Sequence, residues 1–358
     1  MTLLHLVAAA RPNLPKIAAL WRALARDDGF CTPRILHTGQ HHDDALFGQH
    51  LDDLGLPPPH IALGVAGGSH AELTGRTMMA CEAAWRVERP HLVIVVGDVD
   101  GTLAAAIAAR KMGIPVAHLE AGLRGGGWNM AEEINRRAVD AISDILWATN
   151  EADAAMLVAT GHDPVRVRAV GNTMADTLLH SLDRARARAL PAGLLRGGYG
   201  VVTLHRAENV DHAPRFGDWL DAIGEVARHL PLAWPMHPRA RLRMQSFGLK
   251  TPPGVRVLPP LGYLDFLALL DGAAFAASDS GGVQEEAMLL DTPCLTLRDS
   301  TERPMTLSSG RLVCPGTLVP SVAEVLAGAW PRALPVPLWD REVGGRIRAH
   351  LGELLGGG

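Results

Sequence analysis

Two doubly wound α/β domains are the fold this sequence predicts, and three observations predict it. Short apolar runs alternate with amphipathic segments of helical length along the whole chain, the pattern of βαβ units around a parallel sheet. The alternation breaks once, between Arg184 and Gly198, in a stretch rich in Arg, Ala, Leu, Pro and Gly, and then resumes. At 358 residues the chain is also longer than one core usually organises. The expected division is a first domain over 1–172, a second over 173–342, and a C-terminal helix over 343–358 that packs back on the first.

In order, the first series of strands is expected at Leu3–Val7, Arg34–His37, Leu92–Val96, Pro115–Leu119, Asp144–Ala148 and Val165–Val170. Apolar residues at three- and four-residue spacing place helices at Pro15–Leu24, Ala71–Val87, Thr102–Lys111, Ala131–Ala141 and Glu151–Ala159. Met78, Met79, Trp85 and Met156 on those helices read as packing. The second series gives strands at Tyr199–Leu204, Leu232–Met236, Val255–Leu258, Ala273–Ala277, Cys294–Leu297 and Arg311–Cys314, and a last helix at Val343–Leu355. Two Rossmann-like halves of this kind leave a cleft at the carboxyl ends of their strands, where such sheets bind ligands.

Composition narrows the function. Apolar residues make up 47% and charged residues 20%, the balance of a well-cored globular protein. With a net charge of −4 and no basic run, nothing points to nucleic acid. The N-terminal run Leu3–Ala10 is too short to span a bilayer and reads as the first strand. The 4 cysteines show no Cys-x-x-Cys pairing, so neither a disulfide framework nor a zinc site is indicated and a reducing cytoplasm is expected. His37, His41 and His42 lie beside Asp43 and Asp44, but adjacent rather than helical spacing is poor metal-ligand geometry.

The polar residues gather at strand ends. Arg11 and Lys16 follow the first strand, Asp98 the third, and Glu120 with Arg124 the fourth, while Glu132, Glu133, Asn135 and Arg136 open the next helix. In the second half His205, Arg206 and Glu208 follow the first strand, His237 a later one, and Arg298, Glu302 and Arg303 close the series. Between them Ser280-Gly281-Gly282 enters a helix, where residues without a Cβ let a diphosphate approach free backbone N–H groups. Local readings compete with this one: Asp98 capping the helix at Thr102, Glu120 pairing with Arg124, and Asp279 or Ser280 capping the helix after the glycines. Gly125-Gly126-Gly127 either closes on a ligand or turns the chain. Taken together, the pattern suits an anionic ligand held by cations and backbone N–H groups, with carboxylates left for proton transfer.

In these residues the chain resembles the UDP-N-acetylglucosamine 2-epimerase family. The resemblance runs through Arg11-Pro12-Asn13 with Lys16, His37-Thr38-Gly39-Gln40-His41, Gly68-Ser69-His70-Ala71-Glu72, Gly97-Asp98-Val99, His118 to Arg124 and Glu132 to Arg136. It continues through Gly171-Asn172-Thr173, Leu204 to Asn209, His237-Pro238-Arg239, Asp279 to Glu286 and Thr301 to Pro304. It implies a glycosyltransferase-B type fold with a UDP-sugar in the cleft, and a homodimer. By motif, Arg11, His205, Ser280, Gly281, Gly282 and Arg303 would hold the diphosphate, Glu286 the ribose and Phe266 the uracil face. Asp98, Glu120 and Glu132 would be the catalytic carboxylates, with His205 also catalytic and Lys16 and Arg136 as electrostatic support. The implied reaction inverts C2 of a UDP-2-acetamido sugar through elimination of UDP and a glycal. The alternatives are a hydrolysing enzyme that releases the free sugar, a glycosyltransferase of the same fold, and a non-catalytic nucleotide-sugar binder. None of these calls for a nicotinamide or a metal. The chain departs from the family pattern at Asp100, Gly101, Ala131, Met305 and in the segment after Gln40.

Overall fold

The computed structural model describes residues 2–39, 44–125, 127–128 and 130–355. His41, His42 and Asp43 of the histidine cluster, and Gly126 of the glycine run, lie outside the described residues. The chain divides into two compact units, one of residues 1–180 and 336–358 and the other of residues 181–335.

Unit 1 is built on β1 (Thr2–Ala8), β2 (Cys31–His37), β3 (Ile61–Ala62), β4 (Leu92–Val96), β5 (Val116–Ala121), β6 (Ile145–Ala148) and β7 (Val167–Ala169). All pairings are parallel, in the order β3-β2-β1-β4-β5-β6-β7. Sequence order reverses beside β1, so the crevice of this sheet opens at the carboxyl ends of β1 and β4. β4 reads Leu-Val-Ile-Val-Val and is buried along its whole length, as a strand covered on both faces must be. The helix Asp100–Lys111 that covers it is rich in alanine, with Ala104, Ala105, Ala106, Ala108 and Ala109 all buried. β2 begins three residues before the expected start, at Cys31, and contains Pro33. β3 pairs only Leu36 and His37, so Pro33 has no strand on that side to miss its absent N–H.

The chain returns to unit 1 at its end. Gly344 lies against the helix Asn13–Leu24 so closely that a Cβ would fall 2.5 Å from the Ala19 carbonyl oxygen. Trp147 Nε1 donates to His350 Nδ1 at 3.0 Å, Trp339 Nε1 to the Thr149 carbonyl at 3.0 Å, and Arg346 Nε to the Val170 carbonyl at 2.7 Å. Gly171, with φ of 96°, sits under this segment. A Cβ there would stand 2.0 Å from the Leu338 carbonyl oxygen, so only glycine fits.

Unit 2 carries β8 (Gly200–Thr203), β9 (Leu232–Pro235), β10 (Val255–Leu258), β11 (Phe275–Ser278), β12 (Cys294–Thr296) and β13 (Gly310–Leu312), parallel in the order β10-β9-β8-β11-β12-β13. Here the reversal lies beside β8, and the crevice opens at the ends of β8 and β11. Its larger core gathers Phe216, Trp219, Trp234 and Phe275 with aliphatic residues on one face of the sheet. Each such side chain contributes roughly 1.5–3 kcal/mol by leaving water. No helix among the described residues is long and apolar enough to cross a membrane.

Candidate functional site

Each unit places a polar cluster at its own switch point. In unit 1 the cluster is held by Asn13, whose Oδ1 accepts from the Ala9 and Ala10 N–H groups at 3.1 and 2.8 Å and whose Nδ2 donates to the Val96 carbonyl at 3.3 Å. That amide ties the end of β1 to the end of β4, in the helix Asn13–Leu24 that also presents Lys16. Lys16 Nζ donates to Glu120 Oε2 at 2.5 Å, and both side chains are almost fully buried. The second carboxylate oxygen, Glu120 Oε1, is buried with no hydrogen-bond partner among the described residues.

Glu120 sits in β5 with a left-handed backbone, φ 69°, beside a register shift between Leu119 and Ala121 in the pairing with β6. That conformation costs a non-glycine residue on the order of 1–3 kcal/mol and collects at functional positions. It also explains why Glu120 does not pair with Arg124, as its nearness in sequence had suggested. The bulge turns Glu120 toward Lys16, and Arg124 Nη1 instead lies 2.7 Å from Asp140 Oδ2. Gly97, φ 69°, lies next to the pair, since a Cβ there would stand 3.5 Å from Lys16 Nζ and 3.7 Å from Glu120 Oε2.

Asp98 follows directly. It does not cap the next helix, whose N-cap is Val99 without a side-chain bond. Its Oδ2 accepts instead from Arg136 Nε at 2.8 Å, and Asn135 Nδ2 holds its carbonyl at 2.9 Å. Of the two acids opening the helix Ala131–Ile142, Glu132 is exposed on the first turn. Glu133 is buried, accepting from Arg136, Arg137 and the Gly125 N–H at 2.7, 2.7 and 3.1 Å. The departure at Asp100 is partnered as well, with His70 Nδ1 at 2.7 Å and Asn135 Nδ2 at 3.3 Å. Arg11 is half-buried in the loop after β1. His37 is packed against Phe47 with ring centroids 4.4 Å apart, and burial pushes its imidazole below the usual value. Among the described residues no group of three His, Cys, Asp or Glu side chains could hold a metal ion.

In unit 2 the centre is Asp279, fully buried after β11. Its carboxylate accepts from the His205 N–H at 3.0 Å, the Arg206 N–H at 2.9 Å and Asn209 Nδ2 at 3.1 Å, and His205 Nδ1 lies 2.8 Å away. Burial opposes its ionisation, but His205 beside it and the two backbone N–H groups hold its carboxyl below the usual range. Asp279 is thus spent on the loop after β8 and does not cap the helix Gly281–Leu289. Ser280, at the N-cap, makes no side-chain cap bond either, so the expected cap is absent. The helix therefore opens with backbone N–H groups that no side chain caps, which suits an anion.

Gly281 is packed against the cation of the site: a Cβ there would lie 2.4 Å from Arg303 Nη1. Arg303 is itself buried, 2.9 Å from Glu285 Oε1 and 2.6 Å from Glu302 Oε1. Arg298 and Arg206 also reach Glu302, at 2.7 and 3.4 Å. Burial alone would push the Glu302 carboxyl up, and the three guanidiniums bring it well below the usual range. Glu286, one turn into the helix, is pushed up to about 8 by burial and by the charge of Glu285. Gly282 is half-buried at the helix entrance, and Phe266 packs against the cores on either side of it. His205 and His237 lie with ring centroids 5.3 Å apart.

The sequence reading named Asn13 in a motif and Glu133 and Asn135 among the helix-opening polar residues, but gave none of them a role in building the site. Each is a polar residue in the first five positions of a helix that follows a strand or loop of the site.

The family model described as UDP-N-acetylglucosamine 2-epimerase matches residues 22–333. A relative from Pseudomonas aeruginosa, a UDP-2,3-diacetamido-2,3-dideoxy-D-glucuronate 2-epimerase, is 36% identical over 356 residues, covering 98% of this chain and 95% of that protein. The UDP-N-acetylglucosamine 2-epimerase of Methanocaldococcus jannaschii is 37% identical over 324 residues, 87% of this chain and 88% of its own. The crystal structure of the M. jannaschii UDP-GlcNAc 2-epimerase in complex with UDP-GlcNAc and UDP matches with a TM-score of 0.88 at 34% identity, over 99% of this chain and 100% of that one. The two parallel-sheet domains are of the glycosyltransferase-B type, as the resemblance implied. By these matches, which run over nearly its whole length, the chain belongs to the UDP-N-acetylglucosamine 2-epimerase family.

Proposed function

We propose that this protein epimerises C2 of a UDP-2-acetamido sugar, of the UDP-GlcNAc to UDP-ManNAc type. The observation that carries this is Glu120: one carboxylate oxygen clamped by Lys16, the other buried without a partner among the described residues, on strained backbone. A general base needs such an open lone pair at a fixed position. The proton leaves C2 for a carboxylate of the Asp98–Glu120 cluster as the C1–oxygen bond breaks. The C2–H electron pair becomes the glycal double bond, and UDP departs with the C1–O pair. Arg303, His205 and the N–H groups at Gly281 and Gly282 stabilise the charge gathering on the diphosphate. Return of a proton to the opposite face of C2, with UDP added back at C1, inverts the centre. Cytoplasmic location and a homodimer belong to the same reading, and the three buried, unpaired thiols Cys31, Cys81 and Cys294 suit a reducing compartment.

The test is incubation with UDP-GlcNAc in heavy water, followed by NMR at C1 and C2. Deuterium at C2 of retained UDP-sugar is the expected result. UDP with free 2-epimeric sugar would instead indicate hydrolysis, and absence of C2 exchange would remove the epimerase reading.

Glu286 adds a pH signature. As the proposed ribose contact it must accept from the diol as a carboxylate, yet it is neutral below about 8 in the free protein. UDP binding should therefore release a proton near pH 7, and affinity should rise as pH approaches 8. Calorimetry in buffers of different ionisation enthalpy measures this, and binding without proton release would exclude the assignment. The sign for stability is opposite. Because the folded-state value lies above the ordinary 4.5, the native protein binds the extra proton between these values, and Glu286 costs stability as pH climbs through that window.

A further inference from the structure

Beneath the acids of unit 1 lies a pair that the reaction scheme leaves unused. His118, in β5, is fully buried, and Asp140, from the helix Ala131–Ile142, is 1% exposed. His118 Nδ1 lies 2.7 Å from Asp140 Oδ1, and His118 Nε2 lies 2.9 Å from the Gly97 carbonyl oxygen. A carbonyl only accepts, so Nε2 carries a hydrogen. Asp140 Oδ2 is already taken by Arg124 Nη1 at 2.7 Å and by the Gly122 N–H at 3.2 Å, both donors that favour the ionised carboxylate. Nδ1 therefore donates as well.

The four bonds have a common geometry. One end of the pair grips Gly97, the left-handed residue immediately before Asp98, and the other grips Gly122, the left-handed residue two after Glu120. Both carboxylate-bearing turns are thereby braced by one buried unit. A carboxylate that must meet C2–H within a few tenths of an ångström depends on such support, because a misplacement of about 1 Å can cost on the order of a hundredfold in rate.

The geometry points to His118 and Asp140 as positioning residues that jointly fix the Asp98 and Glu120 turns, with His118 donating from both ring nitrogens. The inference deepens the epimerase reading and rests on it for its kinetic arm alone.

The experiment has two arms on the full-length protein. Histidine-selective 15N labelling, with His118 identified by its loss in His118→Gln, should show a hydrogen on both ring nitrogens. A bare nitrogen in that ring would overturn the proposal whatever the enzyme's activity. In the second arm, His118→Gln and Asp140→Asn are each expected to slow C2 deuterium exchange about a hundredfold while calorimetric UDP affinity stays within about twofold. The double variant should lose no more than the worse single, as parts of one unit do. Losses that multiply, or a His118→Gln enzyme that exchanges at the wild-type rate, would overturn it. If the wild type exchanges no C2 hydrogen, the epimerase reading fails and the labelling arm alone decides.

Discussion

Glu120→Gln is expected to slow C2 hydrogen exchange on the order of a thousandfold while UDP still binds, the scale that general acid–base catalysis contributes. Glutamine preserves volume and can still meet Lys16 with its carbonyl oxygen. What it removes is the basic lone pair on Oε1, the atom that is buried without a partner among the described residues. UDP affinity should hold, because the groups proposed to grip the nucleotide belong to unit 2. Asp98→Asn should act in the same direction and additionally loosen the 2.8 Å contact with Arg136. Glu132→Gln is the informative third variant, since Glu132 is exposed whereas Asp98 and Glu120 are tied into the cluster. Rapid-quench or NMR exchange rates with calorimetric UDP binding measure all three, and wild-type exchange in Glu120→Gln would end its assignment as the base.

Gly171→Ala is expected to be the most damaging single methyl in unit 1. The left-handed φ of 96° costs alanine about 1–2 kcal/mol, and the new Cβ meets a backbone carbonyl that cannot rotate away. With the contact at 2.0 Å, the segment around Leu338 must move, and Arg346, which bonds both the Val170 and the Leu338 carbonyls at 2.7 Å, moves with it. A total loss of about 3 kcal/mol or more follows, and a fall in melting temperature of roughly 6–12 °C. Thermal unfolding by circular dichroism checks this; a melting point within a degree or two of wild type would show that the segment yields freely. The Gly171-Asn172-Thr173 motif, read in the sequence as part of the family pattern, thus has a structural explanation at its first residue.

The alternation of apolar runs and amphipathic helices made the architecture legible, because burial on both faces of a parallel strand demands continuous apolar sequence. Boundaries came close where that rule acted, as at Leu92–Val96, which matches residue for residue and is buried throughout; the edge strand Val255–Leu258 also matches, although two of its four residues are exposed. Cys31–Pro33 was missed because proline argues against a strand unless the neighbouring strand is known to be short. The strand-end acids were legible as a group, but their partners were not. Lys16 and Glu120 are 104 residues apart, and no local rule predicts that Glu120 adopts a left-handed backbone and turns away from Arg124. His118 stood in the expected fourth strand and at the head of a family motif without a role of its own, since its significance lies in two acceptors that only the folded chain brings to it.

The return of residues 336–355 to unit 1 sets an order of events during synthesis. Trp147, the Asn13–Leu24 helix and Gly171 all leave the ribosome long before the segment that covers them, with the whole of unit 2 translated in between. Until then the surface that Val343, Ile347 and Leu351 come to cover stays exposed. A message cut short after unit 2 would release a chain in which unit 2 is complete but the carboxylate-bearing unit 1 lacks its last wall.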